Sequence, residues 1–338
     1  MYRSRRLFLS VIGVAMALAF VGSQAFAAPR VIKVSTTTQP THIYNVGLEY
    51  FAKIVKERSK GELEVKIFPA SQLGSERDAV EGLQLGTLEM TLTSTGPLGN
   101  FVPEVKLFNL PFLFQDRAEA FKVLDGPIGS EIAGQFPKVG FRSLGWYENG
   151  FRHITNNVRP INSVADMKGI KIRVMEDSLF IDTMKALGAS PLPMAFGELY
   201  TALEQGTVDA QENPLVNIDA SRFYEVQKNL AITGHFYSPA MLLVSERFFQ
   251  SLPKKDQELL IQAGLDARDY ERNLSIEGDK VTEAKLAEKG MVVTHPDKAG
   301  FVAAVKPVYA SAAKGIGGGN AAKGQKLIDR TLAALGHK

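Results

Sequence analysis

Two arginines in strand-like surroundings are the most distinctive chemical feature of this chain. In Lys171-Ile172-Arg173-Val174-Met175, side chains alternate along an extended segment, so Ile172 and Val174 share one face and Arg173 takes the other. Arg152 opens a second apparent strand just past a glycine, in Trp146-Tyr147-Glu148-Asn149-Gly150-Phe151-Arg152-His153. A strand covered on both faces rarely holds an arginine without a partner. Two readings fit. One is an internal ion pair. The other is a guanidinium at the carboxyl edge of a sheet, where open α/β sheets bind ligands. There its planar fork grips a carboxylate through two parallel hydrogen bonds, which lysine does not copy.

Other chemistries lack their residues. The five histidines (His42, His153, His235, His295 and His337) show no His-x-x-x-His spacing, and the chain has no cysteine. A tight zinc site, a disulfide and a thiolate nucleophile are therefore not expected. Gly319-x-x-x-x-Gly324 is followed by Gln325 rather than lysine, so it fails as a phosphate-binding loop. Gly315-x-Gly317 lacks the third glycine of a dinucleotide fingerprint, and no Gly-x-Ser-x-Gly elbow occurs. No cofactor, metal or catalytic residue is expected, and a secreted hydrolase with paired carboxylates stands only as a weak alternative.

The arginines need a scaffold, and strands alternate with helices along the chain. Val31–Thr36 reads as a strand, 41–59 as a helix with Leu48, Phe51, Ile54 and Val55 on one face, and Leu63–Phe68 as a strand. Ser75-Glu76-Arg77-Asp78 resembles a capping box opening a helix that Gly86 stops, and Leu88–Thr93 is the next strand. This order predicts an open, mostly parallel sheet covered by helices. The same grammar restarts near Gly150: strand 171–175, helix 177–187, strand 190–195, helix 197–205. The expectation is an α/β, bilobed molecule with two α/β lobes around a cleft. A long helix from Pro253 to Gly290 spans both lobes.

Composition agrees with a globular chain. Of the 338 residues 45% are hydrophobic and 22% charged, which excludes disordered and collagen-like classes. The net charge of +3 comes entirely from Arg3, Arg5 and Arg6, so no nucleic-acid partner is expected. Those arginines precede an apolar run from Leu7 to Val21 and an Ala25-Phe26-Ala27 cleavage pattern, the form of a secretory signal over residues 1–27. Ser4-Arg5-Arg6-Leu7-Phe8-Leu9 also fits a twin-arginine signal, so the general secretory and twin-arginine routes both stay open. The mature protein is expected to be soluble and monomeric in a bacterial periplasm.

Longer motifs then point to one family. Gly169-Ile170-Lys171-Ile172-Arg173-Val174, Leu187-Gly188-Ala189-Ser190-Pro191-Leu192-Pro193-Met194-Ala195-Phe196-Gly197-Glu198-Leu199-Tyr200 and Ala202–Pro214, with its Gln211-Glu212-Asn213-Pro214, occur in order. Pro69-Ala70-Ser71-Gln72-Leu73-Gly74, Gly96-Pro97-Leu98 and Pro111-Phe112-Leu113-Phe114 precede them. Together they resemble the substrate-binding subunit of TRAP transporters (tripartite ATP-independent periplasmic), the dicarboxylate-binding-protein family, over nearly the whole mature chain.

The resemblance implies a bilobed clamp that closes on an organic acid and delivers it to membrane permease subunits. A receptor for a sensor kinase or an ABC permease is the alternative. It implies that Arg173 makes the two-pronged carboxylate bond, with Arg152, Asn213 and Phe196 beside it. For Asn213 a helix-capping role before Pro214 is the plain alternative. Thr37, His42, Glu76, Ser94 and Thr95 are the first-lobe candidates for selectivity, and Tyr237 is one at the crossing between lobes. The lobes are expected to comprise 28–150 with 239–279, and 151–238 with 280–338. The Ser94-Thr95-Gly96-Pro97 stretch departs from sialic-acid binders and favours a smaller hydroxy- or keto-acid, a dicarboxylate or a sugar acid.

Overall fold

The computed structural model describes residues 28–337; the export signal expected over 1–27 lies outside them. The strands are β1 (Arg30–Ser35), β2 (Leu63–Phe68), β3 (Met90–Ser94), β4 (Phe141–Asn156), β5 (Lys171–Val174), β6 (Ser190–Pro193), β7 (Ala210–Pro214), β8 (Asn229–Ser245) and β9 (Val292–Thr294). All nine belong to one mixed sheet in the order β2-β1-β3-β8-β4-β7-β5-β6, with β9 on β8. The expected parallel strand-helix grammar holds at each end of the sheet, and antiparallel strands join the two ends. β1 pairs parallel with β2 and β3, and β5 pairs parallel with β6 and β7. Between these groups the long strands β4 and β8 run antiparallel to each other and to their outer neighbours. They were hard to see in sequence because residues buried on both faces lose the alternation of a half-exposed strand.

The local signals hold where they rest on capping. The helix Glu76–Leu85 opens on the reciprocal Ser75–Asp78 capping box and ends at Gly86, whose φ of +74° is left-handed. The helix Ile43–Arg58 buries Leu48, Phe51, Ile54 and Val55. Lys254–Glu288 is a single 35-residue helix. It packs on the helix Ile43–Arg58 and on β4, and then on the helix Leu215–Ala220. The Tyr147 hydroxyl donates to the Gly264 carbonyl at 2.8 Å and pins that helix to β4.

β4 and β8 break register between Glu148 and Gly150, opposite Pro239 and Ser238. Gly150 has φ +116°, a conformation closed to other residues without strain. The break divides the sheet into a β2-β1-β3 half and a β7-β5-β6 half. Both C-terminal helices cross the boundary expected at 280: Lys298–Ile316 and Ala321–Leu335 each pack on residues 103–109 of the first half, and the latter packs also on the helix Arg117–Leu124.

Candidate functional site

The carboxyl ends of β1, β3, β5 and β7 converge on one small cavity. It is lined by Thr37, Thr38, Tyr44, Glu76, Ser94 and Asn149 on one side and by Arg152, Arg173, Met175, Phe196, Asn213 and Asn217 on the other. The strand-edge rule for open α/β sheets therefore holds across both halves.

Arg173 is 2% exposed and makes no ion pair within 4 Å among the described residues. Its Nε and Nη2 both donate to the Met194 carbonyl, at 2.9 and 2.6 Å. Nη1 has no partner among the described residues. The internal ion-pair reading thus fails for Arg173. Burial pushes its pKa down to about 10, with Glu212 partly offsetting that effect. The Phe196 ring lies 5.9 Å from its guanidinium carbon.

Arg152 is arranged differently. It grips Glu212 with two prongs, through Nε and through Nη2 at 2.9 Å to Oε1, and both side chains are fully buried. Nη2 also donates to Asn213 Oδ1 at 3.1 Å, while Nη1 is left without a partner. Burial alone would raise the Glu212 carboxyl; Arg152 and His235 together outweigh it and hold Glu212 below its ordinary value. Here the ion-pair reading and the cavity position coexist.

Asn213 belongs to β7, and the helix Leu215–Ala220 starts from Pro214 with no side-chain cap, so the capping reading is corrected. Its Oδ1 accepts from Arg152 and from Asn217 Nδ2, the latter at 3.1 Å. Asn217 Nδ2 also donates to Asn149 Oδ1 at 3.1 Å, and Asn217 Oδ1 meets His42 Nε2. Glu76 accepts from Ser94 N at 2.7 Å, Ser94 Oγ at 3.0 Å and Thr93 Oγ1 at 3.0 Å. The buried Tyr44 hydroxyl has no partner. The cavity therefore collects two guanidinium nitrogens and one hydroxyl that the protein leaves unpaired.

Three expected residues do not line the cavity. His42 caps the helix Ile43–Arg58 through Nδ1 and sits behind Asn217, with its pKa lowered to about 4 by burial. Thr95 ties Asn109 Oδ1 at 2.9 Å to the Pro239 carbonyl at 3.1 Å. Tyr237 packs edge-on against Phe114 and Phe151 beneath the crossing. In turn, Thr38, Tyr44, Asn149, Met175 and Asn217 line the cavity without having been singled out. Tyr44 and Asn217 lie in the first turn of a helix that follows a cavity-edge strand, a position the β-α grammar marks. Met175 follows Arg173 at the two-residue spacing that puts both on one strand face. Among the described residues no cluster of three or more metal-binding side chains occurs, and no helix is long and apolar enough to cross a membrane.

A bilobed α/β receptor with a polar, arginine-bearing cleft is the class this architecture defines. The chain belongs to the bacterial extracellular solute-binding protein family 7 (DctP), whose pattern matches residues 34–315. It is similar to a TRAP periplasmic solute-binding protein of Polaromonas sp. JS666 solved with D-erythronate. That likeness has 40% identity and a TM-score of 0.85, and covers 90% of this chain and 98% of the other. A Sulfurospirillum deleyianum relative solved with succinate is 33% identical, with a TM-score of 0.86 over 91% of this chain and all of the other. The 2,3-diketo-L-gulonate-binding periplasmic protein YiaO of Escherichia coli is 34% identical over 85% of this chain and 89% of its own length. Members of the family are solute-binding receptors rather than enzymes.

Proposed function

We propose that this protein is a periplasmic receptor that closes around a small hydroxylated organic acid and delivers it to the membrane subunits of a TRAP transporter. One observation carries the reading: Arg173 and Arg152 each bring an unpartnered, fully buried guanidinium nitrogen to one small cavity. A buried donor without a partner costs about 1–3 kcal/mol, more when charged, and a ligand carboxylate relieves both at once. In this reading Arg173 is the main carboxylate anchor, Arg152 and Asn213 support it, and Phe196 packs on the bound acid. Thr37, Glu76 and Ser94 meet its far end. His42, Thr95 and Tyr237 act from behind the wall.

The far wall narrows the class. Glu76 is acceptor-only, with three of about four lone-pair sites taken by Ser94 and Thr93, so it favours a ligand hydroxyl and repels a second carboxylate. D-Erythronate, which the Polaromonas relative binds, has that form; succinate, bound by the Sulfurospirillum relative, lacks the hydroxyls. The receptor is read as a monomer of two lobes, 28–150 with 239–279 and 151–238 with 280–338, the last two helices resting in part on the first. It is freed from a signal over 1–27 by either export route.

Native mass spectrometry of unheated purified protein, beside a thermal-shift screen of organic acids, tests this. Hydroxy monocarboxylates should raise the melting temperature most, since ligand that binds only the folded state stabilises it by mass action. Neutral sugars or amines as best ligands would refute the anion reading, and succinate outranking D-erythronate would refute the role given to Glu76.

A further inference from the structure

The segments that follow β3 and β5 face each other beside the cavity and touch beyond its wall. Ser94 Oγ lies 3.3 Å from Met175 Sδ, and Asn100 Nδ2 donates to the Glu176 carbonyl at 3.0 Å. Farther along, Lys106 Nζ reaches Ser178 Oγ at 3.2 Å and the Asp177 carboxylate at 3.3 Å. The Lys106 and Asp177 side chains are 12% and 0% exposed. Asp177 is already held in place, because it caps the helix Ser178–Ala186 by accepting from Leu179 N at 2.7 Å. Its Oδ2 forms no aligned hydrogen bond and has the Lys106 ammonium as its counter-charge. Gly99 lies between the two. A Cβ there would fall 2.6 Å from Lys106 Cγ and 2.7 Å from Asp177 Oδ2. Its φ of −60° suits any residue, so the space and not the backbone demands glycine.

We propose that Lys106 and Asp177 form an interlobe latch that closes over Gly99 when the receptor shuts on its ligand and slows the ligand's release. This rests on the reading of the cavity as a cleft between two moving lobes. Neither charged residue lines the cavity, so the pair is a positioning device and leaves the ligand's own partners untouched. A pair so little exposed is screened far less than a surface pair, and opening must separate it. Contacts of this kind act mainly on dissociation, while association follows diffusion into the open cleft.

Three substitutions separate the parts. Lys106→Met keeps the stem and drops the charge. Asp177→Asn keeps the helix cap. Gly99→Ala keeps both charges and fills the space between them. With D-erythronate as probe, lobe closure is followed by stopped-flow energy transfer between dyes on Glu57→Cys and Lys185→Cys, both exposed in a chain with no cysteine of its own. Each variant should release the acid roughly ten-fold faster, with association within two-fold of wild type and the ligand-free melting temperature little changed. A ligand-free arm asks whether the segments meet at all: oxidised Gly99→Cys/Asp177→Cys should form a disulfide and become more compact in solution scattering. Absence of that disulfide, or release within two-fold of wild type in all three variants, overturns the latch. A wild type that fails to close on D-erythronate counts against the receptor reading, while the disulfide arm still judges whether the segments meet.

Discussion

Replacing Arg173 tests the site most directly, because its surroundings let affinity and stability be separated. Two of its nitrogens rest on the Met194 carbonyl, and the third has no partner. Burial lowers its pKa to about 10, well below the ordinary guanidinium value, a difference equivalent to roughly 3 kcal/mol of unrelieved charge. Below pH 10 the guanidinium is charged in both folded and unfolded chains, so this burden is constant over the working pH range and a bound carboxylate offsets it. Arg173→Ala removes a charge-assisted pair from the complex. Truncating such a pair costs about 2–4 kcal/mol, or roughly thirty-fold to nearly a thousand-fold in affinity. No carboxylate is stranded by the change, so the ligand-free protein should melt within a few degrees of wild type. Arg173→Lys keeps the charge without the fork and should recover only part of the loss. Calorimetric titration beside thermal melting of wild type and both variants measures the two quantities. Binding by Arg173→Ala within a few-fold of wild type, or a large drop in melting temperature with affinity retained, would refute the carboxylate-anchor assignment.

Glu212→Gln breaks one partner of a fully buried pair and should lower stability by about 3–5 kcal/mol in chemical denaturation, the opposite pattern to Arg173→Ala. Gly150→Ala forces a side chain into φ +116° and brings its Cβ 3.3 Å from Pro214 Cβ, so melting followed by circular dichroism should show a loss of about 1–3 kcal/mol. Glu148 is pushed up to about 7 by burial, with Arg117 opposing that effect. A carboxyl whose folded pKa exceeds its unfolded value of 4.5 binds its proton first in the native state, and so adds stability as pH falls from 7 towards 4.5. Glu148→Gln should therefore lose about 3 kcal/mol relative to wild type between pH 8 and pH 4.5; denaturant titrations at the two pH values that differ from wild type by equal amounts would contradict this.

What the sequence disclosed depended on how local the cause was. The Ser75–Asp78 box, the Gly86 stop and the apolar face of the helix Ile43–Arg58 are set within a few residues, and they appear where the pattern places them. Arg173 was legible because a lone arginine between Ile172 and Val174 conflicts with a buried strand, and such conflict marks a functional position. The single sheet was not legible. Nothing local in Phe141–Asn156 or Asn229–Ser245 says that each strand serves both halves of the molecule, since that pairing joins residues 73 to 104 positions apart, from Asn156–Asn229 to Phe141–Ser245. His42 and Thr95 stand at the starts of their helices and Tyr237 beside the register break, yet each turns to a partner behind the wall. Strand-edge position alone does not give a side chain's direction.

The network behind the arginines explains why anion recognition and lobe closure are hard to separate here. Arg152 is held by Glu212 and Asn213; Asn213 is held by Asn217. Asn217 in turn touches Asn149, beside the register break, and His42, which caps a first-half helix. A shift of one half against the other must therefore break or stretch the bonds that orient Asn217, and with them the support behind Arg152. Arg173 has no such link, because its two bonds end on the Met194 carbonyl within its own half. The two guanidinium groups thus differ in kind. Both are held directly by partners in their own half, but the support behind Arg152 runs on through Asn217 to Asn149 and His42, whereas that behind Arg173 stops at Met194. In the proposed reading, an acid that reaches Arg173 first gains the support behind Arg152 through closure, so the differential affinity needed for a conformational shift is expected at Arg152 rather than Arg173.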